Sequence, residues 1–227
     1  MSLPLLNALL VLFATTLIAG AEERAAAPAL TIAQLQYDGG GDWYANPSGV
    51  PNLLRAIRER TGLAVSAQPA RTRLTDPALW SYPYLYMTGH GNVRFSDEEV
   101  RLLRRYLLEG GFLHVDDNYG MNESFRREIA RVFPDRELEA LPATHPVFNA
   151  FYKFPDGLPK VHRHEGSPPE AFGIFERGRM VLFYSYESDL GNGWEDADKY
   201  DNPPEVREAA LRMGVNLFLY ALAQTVR

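Results

Sequence analysis

At 227 residues with 46% apolar side chains, the chain has material for one ordinary hydrophobic core and not for two. Its formal charge of −6, from 29 acidic against 23 basic residues with no Lys/Arg block, argues against nucleic acid as a partner. No cysteine occurs, which excludes thiolate catalysis, disulfides and Cys-ligated metal; any metal would have to use His, carboxylate or carbonyl ligands.

Residues 1–21, MSLPLLNALLVLFATTLIAGA, carry no charged side chain and end in Ala19-Gly20-Ala21, the small-x-small form that signal peptidase reads. A signal peptide cut after Ala21 is expected, and with it a periplasmic or extracellular location. The missing cationic start leaves an uncleaved membrane anchor open, the only membrane contact expected. Without a cysteine there is no lipid anchor at this end. Residues 22–29, Ala-rich and polar, read as a linker, and residues 30–227 as a single α/β domain.

Residues 30–37 read as a strand that runs into Asp38-Gly39-Gly40-Gly41-Asp42-Trp43-Tyr44, a loop by composition. A helix over residues 51–60 closes at Gly62, and residues 63–67 are expected to form a second strand. Tyr84-Leu85-Tyr86-Met87 reads as a third strand, ending at Gly89-His90-Gly91. Ser96 and Glu99 make a capping box for a helix with Val100, Leu103 and Leu107 on one face, stopped by Gly110-Gly111. Phe112-Leu113-His114-Val115 is the fourth strand, followed by Asp116-Asp117-Asn118-Tyr119-Gly120 and a helix over residues 123–132. Residues 134–169 are irregular, with Phe148, Phe151, Tyr152 and Phe154 as apolar anchors, and are expected to fold back over the sheet edge. Residues 172–175 and 180–184 pair as a hairpin, residues 187–202 form a polar loop, and Pro203-Pro204 opens a final helix reaching about Gln224. The strand–helix alternation predicts a mostly parallel open sheet with helices on both faces.

Several motifs, taken in order, carry a resemblance: Tyr37-Asp38-Gly39-Gly40-Gly41-Asp42-Trp43-Tyr44, Leu85-Tyr86-Met87-Thr88-Gly89-His90-Gly91, Gly110-Gly111-Phe112-Leu113-His114-Val115-Asp116-Asp117, His162-Arg163-His164-Glu165-Gly166 and Gly191-Asn192-Gly193-Trp194-Glu195. With these the chain resembles the bacterial domain-of-unknown-function family numbered 4159. The resemblance implies a flavodoxin-like fold of the class I glutamine amidotransferase type, shared with ThuA-like proteins. Amidotransferases place a cysteine nucleophile at the turn after the fourth strand. This chain has Asp116-Asp117-Asn118 there, so thioester chemistry is not available.

In open α/β sheets ligands bind outside the carboxyl ends of the strands. Asp38, Gly40, Asp42, Trp43 and Tyr44 follow the first strand, His90 the third, and Asp116, Asp117, Asn118 and Tyr119 the fourth; Asp189 and Trp194 sit in the later loop. Asp38, His90 and one of Asp116 or Asp117 are expected within one ligand's reach. Asp116, Asp117 and His90 are the candidate catalytic groups, and the others candidate ligand contacts. The competing reading is that each Asp closes a turn or caps a helix, and adjacent Asp116 and Asp117 repel strongly enough that at least one should do so. His162, His164 and Glu165 form a candidate divalent-metal set, against the alternative of a solvated loop. His114 is expected in the core and His145 in a structural role.

Aromatic rings beside carboxylates suit a sugar-binding cleft, with lid packing as the alternative for Trp194. The acids around the triple glycine repel anions, which favours a neutral polyol or a cation. No G-x-S-x-G elbow, P-loop or dinucleotide turn is present. The expected function is therefore a ligand-binding cell-envelope module, taking a glycan-like molecule or a cation and working beside envelope proteins or glycans. A metal-assisted carbohydrate hydrolase or isomerase, with Asp116 or Asp117 as base and His90, His162 and His164 as ligands or acid, is the alternative. A structural partner protein without a small ligand is the third.

Overall fold

A computed structural model describes residues 30–162 and 166–225. The expected signal peptide and linker, and His164 and Glu165 of the expected metal set, lie outside the described residues. Seven strands form one sheet: β1 (Ile32–Leu35), β2 (Ala70–Thr72), β3 (Tyr84–Gly89), β4 (Phe112–Asp117), β5 (Glu139–Ala140), β6 (Glu170–Glu176) and β7 (Arg179–Tyr186). Their order is β2-β1-β3-β4-β7-β6-β5. The first five in that order run parallel, and β6 and β5 are added antiparallel. The α/β class with a mostly parallel sheet is thus as the strand–helix alternation predicts.

Two-residue periodicity sends alternate side chains to two cores. Tyr84, Tyr86, Phe112 and Phe183 face a layer made by α1 (Gly49–Thr61), α4 (Leu190–Trp194) and α5 (Pro204–Thr225). Leu85, Met87, Leu113, Val115 and Leu182 face α2 (Asp97–Leu108) and α3 (Asn122–Val132). His114 lies in register with Phe112 and is fully buried on the first face, among Tyr84, Tyr86, Phe183 and Trp194.

Local signals account for most boundaries. The Ser96–Glu99 capping box forms with both bonds, at 3.2 and 2.8 Å. Gly62, at φ 73°, ends α1. Arg177 and Gly178, both at positive φ, make the tight turn between β6 and β7.

Two expectations need correction. The second strand is Ala70–Thr72, not residues 63–67: the chain turns back on itself where the Val65 amide donates to Leu63 O, and only one bridge, Leu30 to Val65, forms there. Residues 187–202 are not simply a polar loop, since residues 187–195 are buried and include α4. The irregular segment after β5 is tied to α5 by fully buried Asn216. Its Oδ1 accepts the amides of Phe151 and Tyr152, and its Nδ2 donates to Val147 O and Tyr152 O. No helix among the described residues is long and apolar enough to cross a membrane.

Candidate functional site

From β1 the chain crosses to β2 on one side, then returns to β3 on the other, so the strand order reverses between β1 and β3. Loops leaving the carboxyl ends of two such strands diverge and open a crevice. Here they are laced together: Arg94 N donates to Asp38 O at 2.8 Å and Gly41 N to Asn92 O at 3.2 Å. Across the lacing, Asp42 grips His90 twice. Its Oδ1 accepts the His90 amide at 2.5 Å and its Oδ2 lies 2.9 Å from His90 Nδ1. A carboxylate on Nδ1 holds the neutral imidazole in the tautomer whose Nε2 lone pair is free. The His90 side chain is 54% exposed and that of Asp42 31%, so this pair can meet a ligand.

Glycine makes the grip possible. At Gly89, φ 147°, a Cβ would fall 2.2 Å from the Tyr37 hydroxyl and 3.1 Å from Asp42 Oδ1. At Gly41 it would fall 2.5 Å from Gly91 O and 2.7 Å from the Tyr37 hydroxyl. Tyr37 donates to Thr88 O at 3.0 Å. Burial first, then the charges of Asp42 and Asp117, push its phenol well above the usual range.

Asp116 and Asp117 lie at the same edge but are sealed. Asp116 is fully buried; its Oδ1 accepts from Ser185 Oγ (2.6 Å) and Leu190 N (3.1 Å), and its Oδ2 from Gly191 N (2.7 Å) and Tyr86 OH (3.2 Å). Burial raises its carboxyl to about 7, helped by the neighbouring Asp189 charge and opposed by Ser185 and the Gly191 and Leu190 amides. Ser185 Oγ also lies 3.1 Å from His114 Nε2 and 3.2 Å from Val115 O. Burial holds the His114 imidazole down to about 3, so it stays neutral. Asp, Ser and His are in line here, yet none reaches solvent, and the arrangement is a buried relay rather than a catalytic triad. Asp117 Oδ1 accepts the Tyr119 and Met121 amides, both at 3.0 Å, ahead of α3, and its Oδ2 accepts the Tyr184 hydroxyl at 3.1 Å. Burial raises its carboxyl too, against those donors. The base expected at Asp116 or Asp117 is therefore not available to an outside substrate. Both serve the capping role.

The other candidates divide. Asn118 is buried, its Oδ1 accepting from Thr88 Oγ1 at 2.7 Å and its amide donating to Gly89 O. Tyr119, at φ 91°, is exposed on the turn between β4 and α3. A Cβ added at the adjacent Gly120 would lie 3.7 Å from Gly91 N, so Tyr119 and His90 occupy neighbouring loops. Tyr44 is the most exposed of the large aromatic residues among the described residues. Trp43 is half-buried, with Tyr44 edge-on at 5.5 Å and the Arg71 guanidinium over its face. Gly40 is exposed at φ 91°. Asp38 pairs with Arg73 and lines a separate groove of about 870 Å3 with Arg94, Asp97, Arg127 and Arg131, in which neither His90 nor Asp116 takes part. Two ligand candidates are corrected. Trp194 is a core residue whose indole N–H donates to Ala210 O at 2.8 Å, and Asp189 is buried and caps α4 through Asn192 N.

The segment after β5 does return to this edge: the Val161 amide donates to Ser188 O, Ser188 Oγ to Pro159 O, and Lys160 Nζ lies 2.9 Å from Glu187. His162 is half-buried there, its amide on Ser188 O at 3.3 Å. Among the described residues no group of three His, Asp or Glu could hold a metal ion.

Sequence reasoning missed Asn46, Tyr200 and Glu195. Glu195 Oε1 accepts the Ser48 and Gly49 amides at 2.7 and 2.9 Å, closing the start of α1. Exposed Tyr200 donates to Asn46 Oδ1 at 3.0 Å. Its phenol is raised by partial burial and then by the charges of Glu195, Asp189 and Asp42, and its bond to Asn46 ties it to the loop that follows Asp42. The signal common to this edge is backbone strain. Asn46, Tyr119, Glu187, Asp189 and Asp201 are non-glycine residues at positive φ, and the remaining one, Arg177, is in a hairpin turn.

The chain is thus an α/β protein with an Asp–His pair at the switch point of its parallel sheet. It belongs to the family described as Domain of unknown function (DUF4159), whose model matches residues 31–222. Comparison with curated proteins gives no match.

Proposed function

We propose that the exposed surface of the β1 and β3 loops around the Asp42–His90 pair binds a neutral, glycan-like ligand, and that the domain does so outside the cytoplasm. One observation carries this reading: the exposed Asp42–His90 pair has exposed Tyr44, Tyr119 and Tyr200 on the loops around it. Tyrosine faces stack on the C–H faces of sugars while a carboxylate and an imidazole exchange hydrogen bonds with hydroxyls. Glycine packing and strained loops hold these groups ready, which lowers the ordering cost of binding. The fold of class I amidotransferases that the sequence motifs imply would add no activity, because the chain lacks their cysteine. Export rests on the uncharged, apolar first 21 residues ending in Ala19-Gly20-Ala21.

Titration calorimetry with maltotetraose, cellotetraose and chitotetraose tests the site. At least one is expected to bind, and Tyr119→Ala and Tyr44→Ala are each expected to weaken it by about tenfold, the loss of one stacked ring at roughly 1–1.5 kcal/mol. Absence of binding to all three, or binding indifferent to both substitutions, refutes the reading.

A further inference from the structure

We infer that the Asp42–His90 pair is a general base, and that it hydrolyses acyl esters carried on a hydroxyl-rich ligand at this surface. This rests on the ligand reading above and adds a reaction to it. Asp42 holds both the His90 amide and Nδ1, so the ring's position and tautomer are set together and Nε2 is left as the proton acceptor. The grip is built in, since it depends on Gly41 and Gly89 at close-packed positions. It also stands where the strand order reverses, beside the exposed tyrosines.

The neighbouring groups select the reaction. Cleaving a glycosidic bond requires two accessible carboxyl groups. Asp116, Asp117, Asp189 and Glu195 are at most 3% exposed and accept backbone amides, Glu187 is held by Lys160, and exposed Asp38 pairs with Arg73 in the separate groove, so among the described residues no bond joins a second accessible carboxyl to the Asp42–His90 pair. Ester hydrolysis needs only one base and a water. Among the described residues the His90 ring bonds to Asp42 and to no serine, and the chain has no cysteine, so water attacks directly without an acyl-enzyme. Water gives a proton to Nε2 as its oxygen bonds the acyl carbon. The tetrahedral intermediate then collapses, the bond from the acyl carbon to the sugar oxygen breaks, and the imidazolium returns the proton to that oxygen. A carboxylic acid and an alcohol leave, with water as the co-reactant.

The test is acetate release from glucose pentaacetate and peracetylated maltotetraose, followed by proton NMR, with tetraose binding measured on the same preparations. The wild type is expected to release acetate above the buffer rate. His90→Gln should lower the rate by about 100-fold, the contribution of one positioned base, while weakening tetraose binding by less than about tenfold. Asp42→Asn should lower release as well; if that variant does not fold, His90→Gln alone decides. No release by wild type, or equal release by wild type and His90→Gln, overturns the inference. Loss of tetraose binding with His90-dependent release intact would instead overturn the ligand reading alone.

Discussion

Removing the Asp116 carboxylate should cost stability in a way that depends on both shape and pH. Asp116→Ala strands Tyr86 OH, Leu190 N and Gly191 N in a fully buried place, while Ser185 can turn to Val115 O at 3.2 Å. At ~1–3 kcal/mol for each stranded donor, the loss is on the order of 4 kcal/mol or more. Asp116→Asn keeps the shape and one amide acceptor, and should cost about 1–2 kcal/mol at pH 5. The folded carboxyl is raised to about 7 from 3.8, so between those values the native state holds a proton that the unfolded chain has released. Stability from this group is therefore full below about pH 4 and is lost as pH rises through 7, at no more than about 1.4 kcal/mol per pH unit. The asparagine variant lacks that slope, so the gap between it and the wild type should narrow from pH 5 to pH 8. Urea unfolding at pH 5, 6, 7 and 8, read by the emission of buried Trp194, measures it. A gap that stays constant from pH 5 to pH 8 means that the four donors hold the carboxylate ionised throughout, and refutes the reasoning. So does an Asp116→Ala variant as stable as Asp116→Asn.

Gly41→Ala drives a Cβ to 2.5 Å from Gly91 O, a backbone atom that cannot swing aside, and should lower stability by about 2–3 kcal/mol in thermal unfolding; a loss below about 0.5 kcal/mol refutes the close-approach account. Asn216→Ala leaves four backbone groups without their partner, and should cost about 3 kcal/mol and open residues 146–162 to limited proteolysis before the rest of the fold. Trp194→Phe removes the bond to Ala210 O and should lower stability by about 2 kcal/mol with tetraose binding unchanged; a binding defect at full stability would return Trp194 to the cleft.

Where a local rule governs, the sequence was legible. The Ser96–Glu99 box, Gly62 and the Arg177-Gly178 turn act within a few residues, and structure follows them. Its place inside an apolar strand put His114 in the core, and the strand is buried on both faces. The motifs around Asp42 and His90 were legible as candidates, but their mutual contact was not, since it joins positions 48 residues apart. The same limit hid the fate of Asp116. Repulsion between two adjacent carboxylates predicts that at least one becomes a cap, but both do, and the amides that Asp116 caps lie 74 and 75 residues further on. Residues 187–202 misled because their composition is polar, while Gly191 and Gly193 allow so close an approach to Tyr86 and Ala210 that the first part, residues 187–195, is buried. Tyr200 carried no signal at all, since its place depends on a bond to Asn46, 154 residues away.

The seating of α4 also sets an order of assembly. Gly193 packs so close to α5 that a Cβ would lie 2.4 Å from Ala210, and Trp194 is bonded to the same residue. Glu195, next in the chain, closes the start of α1, to which the Asp42 loop leads. The first loop of the crevice is thus finished by elements from the far end of the chain. A polypeptide emerging from a ribosome can pair β1 and β3 early, but it has no finished binding edge until α5 has docked. Partly made chains therefore carry the Asp42–His90 residues before the edge that surrounds them is formed.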